Sequence, residues 1–134
     1  MTTVTATETV YLVSLKYTGE GLGSGSMTLQ LAVDPSHNTL SGQADGTMLE
    51  GTQGPPKFKA SVSGLMHSTG YDEITKIGSV NGQAIVVSAQ PPLKGSYLAP
   101  FSASFAINND WSGTGTFSVG SQTYECKVEK VQTA

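Results

Sequence analysis

The chain has 134 residues, a net charge of −3 and 13% charged residues, against an average charged fraction of about 25% in globular domains. This length predicts one domain, residues 1–134, that can fold without a metal or a disulfide. There is no apolar run of about 18 residues, which excludes a membrane-spanning helix. The acidic balance gives no electrostatic reason to bind nucleic acid or an anionic membrane.

Apolar and polar residues alternate through most of the chain, which is the pattern of β-strands with one buried face. The clearest examples are residues 11–17, 27–33 and 101–107. About nine such segments occur, and none of the connections is helical enough to make a parallel crossover. The sequence therefore predicts an all-β fold, a single antiparallel meander of about nine strands forming a closed or partly open β-barrel. A two-sheet β-sandwich is the alternative.

Turn chemistry divides these segments from one another. Asn81-Gly82 is the strongest two-residue hairpin signal, because both positions of a type I′ turn need positive φ. It predicts a turn between strands at 73–80 and 83–89. Residues 18–26 are rich in glycine, and residues 50–56 and 90–100 contain prolines, so we expect loops or edge segments at these places.

Reactive side chains are few. His67 lies close to Asp72 and Glu73 in the sequence, and an enzyme that uses His67 with Asp72 is a third hypothesis. Adjacent acids on a strand point to opposite faces, which disfavours a paired-carboxylate acid–base site, and a metal would need three or four convergent ligands. Cys126 alternates with Tyr124 and Val128 on the apolar face and is expected to be buried and unreactive. The sequence favours a non-enzymatic protein, and it predicts no metal and no cofactor.

The best candidates for a binding site are aromatic residues next to amides and carboxylates, because rings stack on sugar C–H faces while polar groups take the hydroxyls. Five residues meet this description at strand ends or in loops: Trp111, Asn109, Asp110, Tyr97 and Tyr71. In the alternative interpretation, Trp111 plugs one end of the barrel.

That alternative comes from an internal similarity. Leu40-Ser41-Gly42 and Trp111-Ser112-Gly113 each follow a polar turn and open a strand. This plan resembles the calycin type of small barrel, which includes avidin-like and lipocalin-like proteins, and the resemblance implies a small ligand in the barrel mouth. The whole chain is also similar to small bacterial all-β proteins classed as a domain of unknown function.

Together these features predict a non-enzymatic protein that binds a small molecule or a glycan at one barrel end. The alternative is a structural or interaction protein that forms homo-oligomers through β edges or apolar faces, because low charge opposes self-association only weakly. The N-terminus has no basic and apolar signal pattern, and there is one cysteine, so we expect a cytoplasmic location. Export is the alternative, since the composition is rich in Ser, Thr and Gly.

Overall fold

The computed structural model describes residues 10–19, 25–48, 56–70, 74–88 and 95–131. These residues form eight β-strands. In chain order the strands are β1 (Tyr11–Gly19), β2 (Ser26–Asp34), β3 (Thr39–Thr47), β4 (Lys57–Ser68), β5 (Lys76–Ser88), β6 (Gly95–Ile107), β7 (Gly113–Val119) and β8 (Gln122–Lys130). Within these ranges, no helix is long and apolar enough to cross a membrane.

The strands form a closed antiparallel barrel in which each strand pairs with its neighbours in the sequence, and β8 pairs with β1. The closing contact runs from Leu15 opposite Lys130 to Gly19 opposite Cys126. The predicted meander and barrel are thus confirmed, and the sandwich alternative is wrong. Closure pairs the first and last strands, which a meander would otherwise leave as free edges.

The predicted hairpin at Asn81-Gly82 is wrong, which accounts for the difference between about nine strands and eight. β5 runs through both residues, and Asn81 lies opposite Ser63 on one side and Ser102 on the other. Neither residue has the positive φ that the turn would need. A Cβ atom at position 82 would overlap the carbonyl oxygen of Ser61. Glycine is therefore needed here for the close approach of a neighbouring strand and not for a turn.

Some rows of inward-facing positions alternate between small and bulky residues across neighbouring strands. One such row runs Leu31, Gly42, Val62, Gly82 and Phe101 from β2 to β6. Small barrels use this alternation to fill a narrow, tapering interior. The row explains why strand glycines and large apolar residues occur together in this sequence.

The interior is a packed core, and its centre is aromatic. The ring of Phe117 lies with its centroid 5.0 Å from that of Tyr124, 5.7 Å from that of Phe58 and 6.2 Å from that of Tyr17. Ring pairs at these distances are favourable beyond the area they bury. The largest fully buried side chains come from six of the eight strands: Tyr17, Phe101, Phe105, Phe117, Leu15, Leu29, Leu31, Leu40, Ile107, Val33, Val80 and Val86.

The two ends of the barrel differ. The first end holds the short β2–β3 and β6–β7 turns, residues 35–38 and 108–112, and we call it the Trp111 end. The opposite end, where β6 begins at Gly95, is called the Tyr97 end. β6 was expected to begin at residue 101, but it starts six residues earlier and includes Pro100.

Candidate functional site

Trp111 is buried at the first of these ends, with only 7% of its surface exposed. Its ring packs edge-on against Tyr11 at a centroid distance of 6.3 Å and lies 6.0 Å from Phe105. The Lys76 ammonium lies 5.4 Å from the centroid of the indole. The side chain therefore closes the barrel, as in the alternative interpretation, and its faces are occupied by its own chain.

The β6–β7 turn holds Trp111 in place through the side chain of Asn108. The Asn108 Oδ1 atom accepts hydrogen bonds from the backbone N–H groups of Asp110, at 2.8 Å, and Ser112, at 3.1 Å. Trp111 has a φ of 61°, a left-handed conformation that is uncommon for a large side chain. The turn directs the indole inward, while Asn109 and Asp110 remain exposed at its tip.

Tyr97 lies at the other end of the barrel, on β6. It is in the same register as the buried residues Ala99 and Phe101, but 42% of its surface is exposed. The structure therefore does not bring the predicted site residues together. Trp111, Asn109 and Asp110 are at one end and Tyr97 is at the opposite end, while Tyr71 lies outside the described residues.

His67 is exposed on β4, and its proposed neighbours Asp72 and Glu73 lie outside the described residues. Cys126 is buried, as predicted. In the described part of the chain, no three His, Cys, Asp or Glu side chains are grouped as metal ligands would be.

The β2–β3 turn brings a serine, a histidine and an aspartate together, which the sequence analysis did not single out. The Ser36 hydroxyl donates to Asp34 Oδ1 at 2.8 Å, and His37 Nδ1 lies 3.0 Å from Asp34 Oδ2 and 3.3 Å from Ser36 Oγ. The hydrogen bonds from Ser36, followed by the contact with His37, lower the pKa of the Asp34 carboxyl group. In a catalytic triad the serine and the aspartate contact different nitrogens of the histidine ring. Here both contact the same nitrogen, so the cluster stabilises the turn and does not activate Ser36 as a nucleophile.

The side chain of Tyr17 reaches across the core. Its hydroxyl donates to the carbonyl oxygen of Ser104 on β6 at 2.9 Å. Burial, followed by the proximity of Cys126, raises the pKa of Tyr17. The neutral phenol is thus favoured, and it ties β1 to the opposite wall of the barrel.

The outer surface has a groove of about 690 Å³ over β1 to β4, here called the outer groove. Ser14, Gln30, Gln43 and Ser61 form one row across the four strands. The neighbouring row contains Leu12, Ala32 and Ser41, and Lys130 and Val131 lie at the β8 side. The amides of Gln30 and Gln43 make no hydrogen bond to any described residue.

The shape of this groove follows from Gly42 on β3. A Cβ at this position would overlap the carbonyl oxygen of Gln30, so the backbones of β2 and β3 approach closely here only because the residue is glycine. The exposed backbone of Gly42 lies at the floor between the two polar rows. Sequence reasoning missed this groove, although Gly42 and the alternating Ser and Gln residues are visible in the sequence.

A second groove of about 840 Å³ lies over β5 to β8. Its central hydroxyls, on Ser104 and Thr116, lie 3.0 Å apart and hydrogen-bond each other. Glu125 and Lys127 line its β8 side. This groove offers fewer unused hydrogen-bonding groups than the outer groove.

The chain matches the model of a domain of unknown function, DUF1842, over residues 9–124. No curated protein is similar enough to the chain to match. The matched residues include β1 to β7 and the start of β8, so the chain belongs to the DUF1842 family.

Proposed function

We propose that this protein is a non-enzymatic binding protein whose ligand, an oligosaccharide, occupies the outer groove. The observation that carries the proposal is a concave surface of about 690 Å³ in which uncharged hydrogen-bonding side chains lie among apolar ones; the five are Ser14, Gln30, Ser41, Gln43 and Ser61. The proposal keeps the expected ligand class and moves the site from a barrel end to the outside of the barrel.

The lining residues support an oligosaccharide because of their chemistry. A glutamine amide offers two donors and an acceptor, and a serine hydroxyl offers both, so the row from Ser14 to Ser61 matches a ligand that carries many hydroxyl groups. Neighbouring strands lie about 4.8 Å apart, so the row presents these groups at regular intervals. Leu12, exposed over 82% of its surface, supplies an apolar contact for sugar C–H groups.

The packing of the core argues against a ligand inside the barrel. Phe58 packs against both Phe101 and Phe117 in the interior, with a centroid distance of 5.7 Å in each pair. Interiors packed in this way tolerate little added volume. Trp111 occupies the mouth at one end and aromatic rings fill the interior, which favours the exterior as the binding surface.

The proposal is tested by titrating the protein with maltohexaose, cellohexaose and chitohexaose while recording amide shifts by NMR. We expect one of the three to shift the side-chain amides of Gln30 and Gln43 and the backbone amide of Gly42. Substitution of either glutamine by alanine, Gln30→Ala or Gln43→Ala, should weaken binding by about fivefold or more, since each removes a hydrogen bond.

Gln83→Ala is the matched control. Gln83 is exposed on β5 and lies next to Ser61 in the same row, but outside the groove. Its substitution should leave the affinity unchanged. The proposal is wrong if none of the three sugars shifts these amides, or if Gln83→Ala weakens binding as much as the two groove variants do.

A further inference from the structure

β6 extends beyond its neighbour β7 at the Tyr97 end. The pairing of β6 with β7 begins at Phe101 opposite Val119, whereas the pairing with β5 continues to Gly95 opposite Ser88. Residues 95–99 therefore have a paired strand on the β5 side, and no described strand lies on the other side. We call residues 95–99 the open edge.

The direction of the backbone groups along this edge follows from one hydrogen bond. The Gly120 N–H donates to the carbonyl oxygen of Pro100 at 2.8 Å, so the backbone of residue 100 faces the β7 side. Groups two residues apart on an antiparallel strand point the same way. The N–H and C=O groups of Leu98 and Ser96 therefore face the open edge.

Side chains that usually prevent strand pairing are missing here. Natural sheets protect exposed edges with lysines, prolines or other charged residues, but residues 95–99 read Gly-Ser-Tyr-Leu-Ala. Pro100, which cannot donate a hydrogen bond, lies just beyond the open edge. The neighbouring part of β5, from Ser79 to residue 88, also has no charged residue.

Large apolar side chains surround this edge. Ile85, Val87, Tyr97 and Leu98 are all exposed, and Leu98 is exposed over 63% of its surface. Ile85, Val87 and Leu98 lie on the outer face and together expose on the order of 300 Å² of apolar surface, within the range of the largest patch that a typical monomer shows, whereas Tyr97 has the inward register. This area is well below the about 800 Å² per partner that a standard interface buries, so the contact suits a weak, reversible dimer held mainly by backbone hydrogen bonds.

We propose that the open edge pairs antiparallel with the same segment of a second copy of this chain, around a two-fold axis at Tyr97. In this register Ser96 of one copy lies opposite Leu98 of the other, and the two pairs exchange four backbone hydrogen bonds. The two Tyr97 rings lie side by side on the same face. A two-fold contact uses the same surface on both copies, and an edge with outward groups at residues 96 and 98 is complementary to itself.

The edge of β1 at the Trp111 end is a weaker candidate. There the Val131 N–H already donates to the carbonyl oxygen of Ser14 at 2.8 Å, so the chain itself lies along that edge. The dimer contact on β6 is also separate from the outer groove on β1 to β4, so dimerisation and sugar binding succeed or fail independently.

Sedimentation velocity over protein concentrations from micromolar to millimolar tests the proposal on the full chain. We expect a monomer–dimer equilibrium for the unmodified protein. Ser96→Pro removes one outward N–H from each copy, and Leu98→Lys places a charge on the edge. Each should weaken dimerisation by about tenfold or more. Circular dichroism spectra of both variants should match that of the unmodified protein, because residue 96 donates away from β5.

Leu65→Lys is the matched control, because Leu65 is also an exposed leucine but lies on β4 with paired strands on both sides. It should leave dimerisation unchanged. Hydrogen exchange gives a second measurement, in which the Leu98 amide becomes protected as the protein concentration rises. A monomer at all concentrations would overturn the proposal, as would a dimer that both edge variants retain or an unprotected Leu98 amide in the dimer.

Discussion

The two ends of the barrel differ in how far they bury an aromatic residue that lies on or next to β6. Trp111 follows β6 and is 7% exposed, while Tyr97 lies near the start of β6 and is 42% exposed. Tyr97 has the inward register of its strand, but Trp111 lies in a turn. The alternation of side chains alone would therefore assign their burial the wrong way round.

The difference arises from the neighbouring elements. At the Trp111 end, Tyr11 on β1, Phe105 on β6 and Lys76 on β5 all reach the indole. At the Tyr97 end, β7 stops at Val119, opposite Phe101, so no β7 residue lies beside Tyr97. An inward register buries a side chain only where the adjacent strands extend to the same level.

The largest expected effect is the loss of the indole at the closed end. Trp111→Ala should lower the free energy of unfolding by roughly 3–5 kcal/mol, since it removes a large buried ring and leaves a cavity. Tyr97→Ala should cost less than about 1 kcal/mol, because the ring is exposed. Urea unfolding followed by circular dichroism measures both, and equal losses would contradict the contrast between the ends.

Substitutions at position 111 also distinguish the effect of side-chain packing on stability from the effect of backbone strain. The free energy of unfolding of Trp111→Gly should exceed that of Trp111→Ala by about 1 kcal/mol, because glycine adopts a φ near 61° without strain. The glycine variant should therefore unfold at a higher urea concentration. Asn109→Gly, at the exposed tip of the same turn, is the control and should change stability little. If the alanine variant is the more stable of the two, the left-handed conformation at residue 111 is not a source of strain.

The tyrosine in the middle of the barrel extends the comparison to a fully enclosed ring. Tyr17→Phe removes the hydrogen bond to the Ser104 carbonyl oxygen and should lower the free energy of unfolding by about 1–3 kcal/mol. Above pH 10 a second effect appears. The folded pKa of Tyr17 is raised, so its contribution is fully present below the unfolded pKa and is lost as pH rises above it.

Stability should therefore fall by up to about 1.4 kcal/mol per pH unit above pH 10 because of this residue. The pH dependence is measured by urea unfolding from pH 8 to pH 11, with Tyr17→Phe as the reference. The difference in unfolding free energy between the two proteins should shrink as pH rises. A constant difference across this range would show that the phenol of Tyr17 ionises as easily in the folded state as in the unfolded state.

A smaller effect is expected for the ammonium group at the closed end. Lys76→Gln removes the cation above the indole of Trp111 and should cost about 0.5–1 kcal/mol, as partly exposed cation–π contacts do. Lys59→Gln on β4, which is exposed and contacts no ring, is the control. In the Trp111→Ala background the Lys76 substitution should have little further effect, and an unchanged loss there would show that the two side chains act independently.

The smallest effect concerns the β2–β3 turn at the same end. The pKa of Asp34 is lowered mainly by Ser36 and less by His37, so the stability that this carboxylate contributes is present above its unfolded pKa and is lost as pH falls through the folded pKa. Ser36→Ala should raise the pKa of Asp34 more than His37→Ala does. Carboxyl carbon shifts recorded by NMR during an acid titration measure both changes, and the reverse order would show that the histidine dominates.

Much of the fold could be predicted from the sequence. Alternation located the eight strands, although the turn signal divided β5 in two, and the buried position of Cys126 followed from it. Asn81-Gly82 misled the prediction, because local turn chemistry cannot reveal that a neighbouring strand passes close to residue 82. The extension of β6 to Gly95 was missed for a similar reason, since Pro100 signals a strand break unless the position of its missing N–H faces away from the paired strand.

The candidate sites were less accessible to sequence reasoning. The outer groove depends on Gln30 and Gln43 becoming neighbours across two strands and on the close backbone approach at Gly42, and both are long-range features. The predicted set around Trp111 assumed that an aromatic residue beside Asn and Asp is exposed, whereas tertiary contacts from β1 and β5 cover it.

The sequence by itself determined the strand pattern, the inward and outward faces and the family membership, because these depend on the two-residue repeat of a β-strand and on local composition. The tertiary structure decided which ends are closed, which edge is open and where the surface is concave. These properties depend on how far each strand extends beside its neighbour, and that relation is set by pairing between residues far apart in the chain.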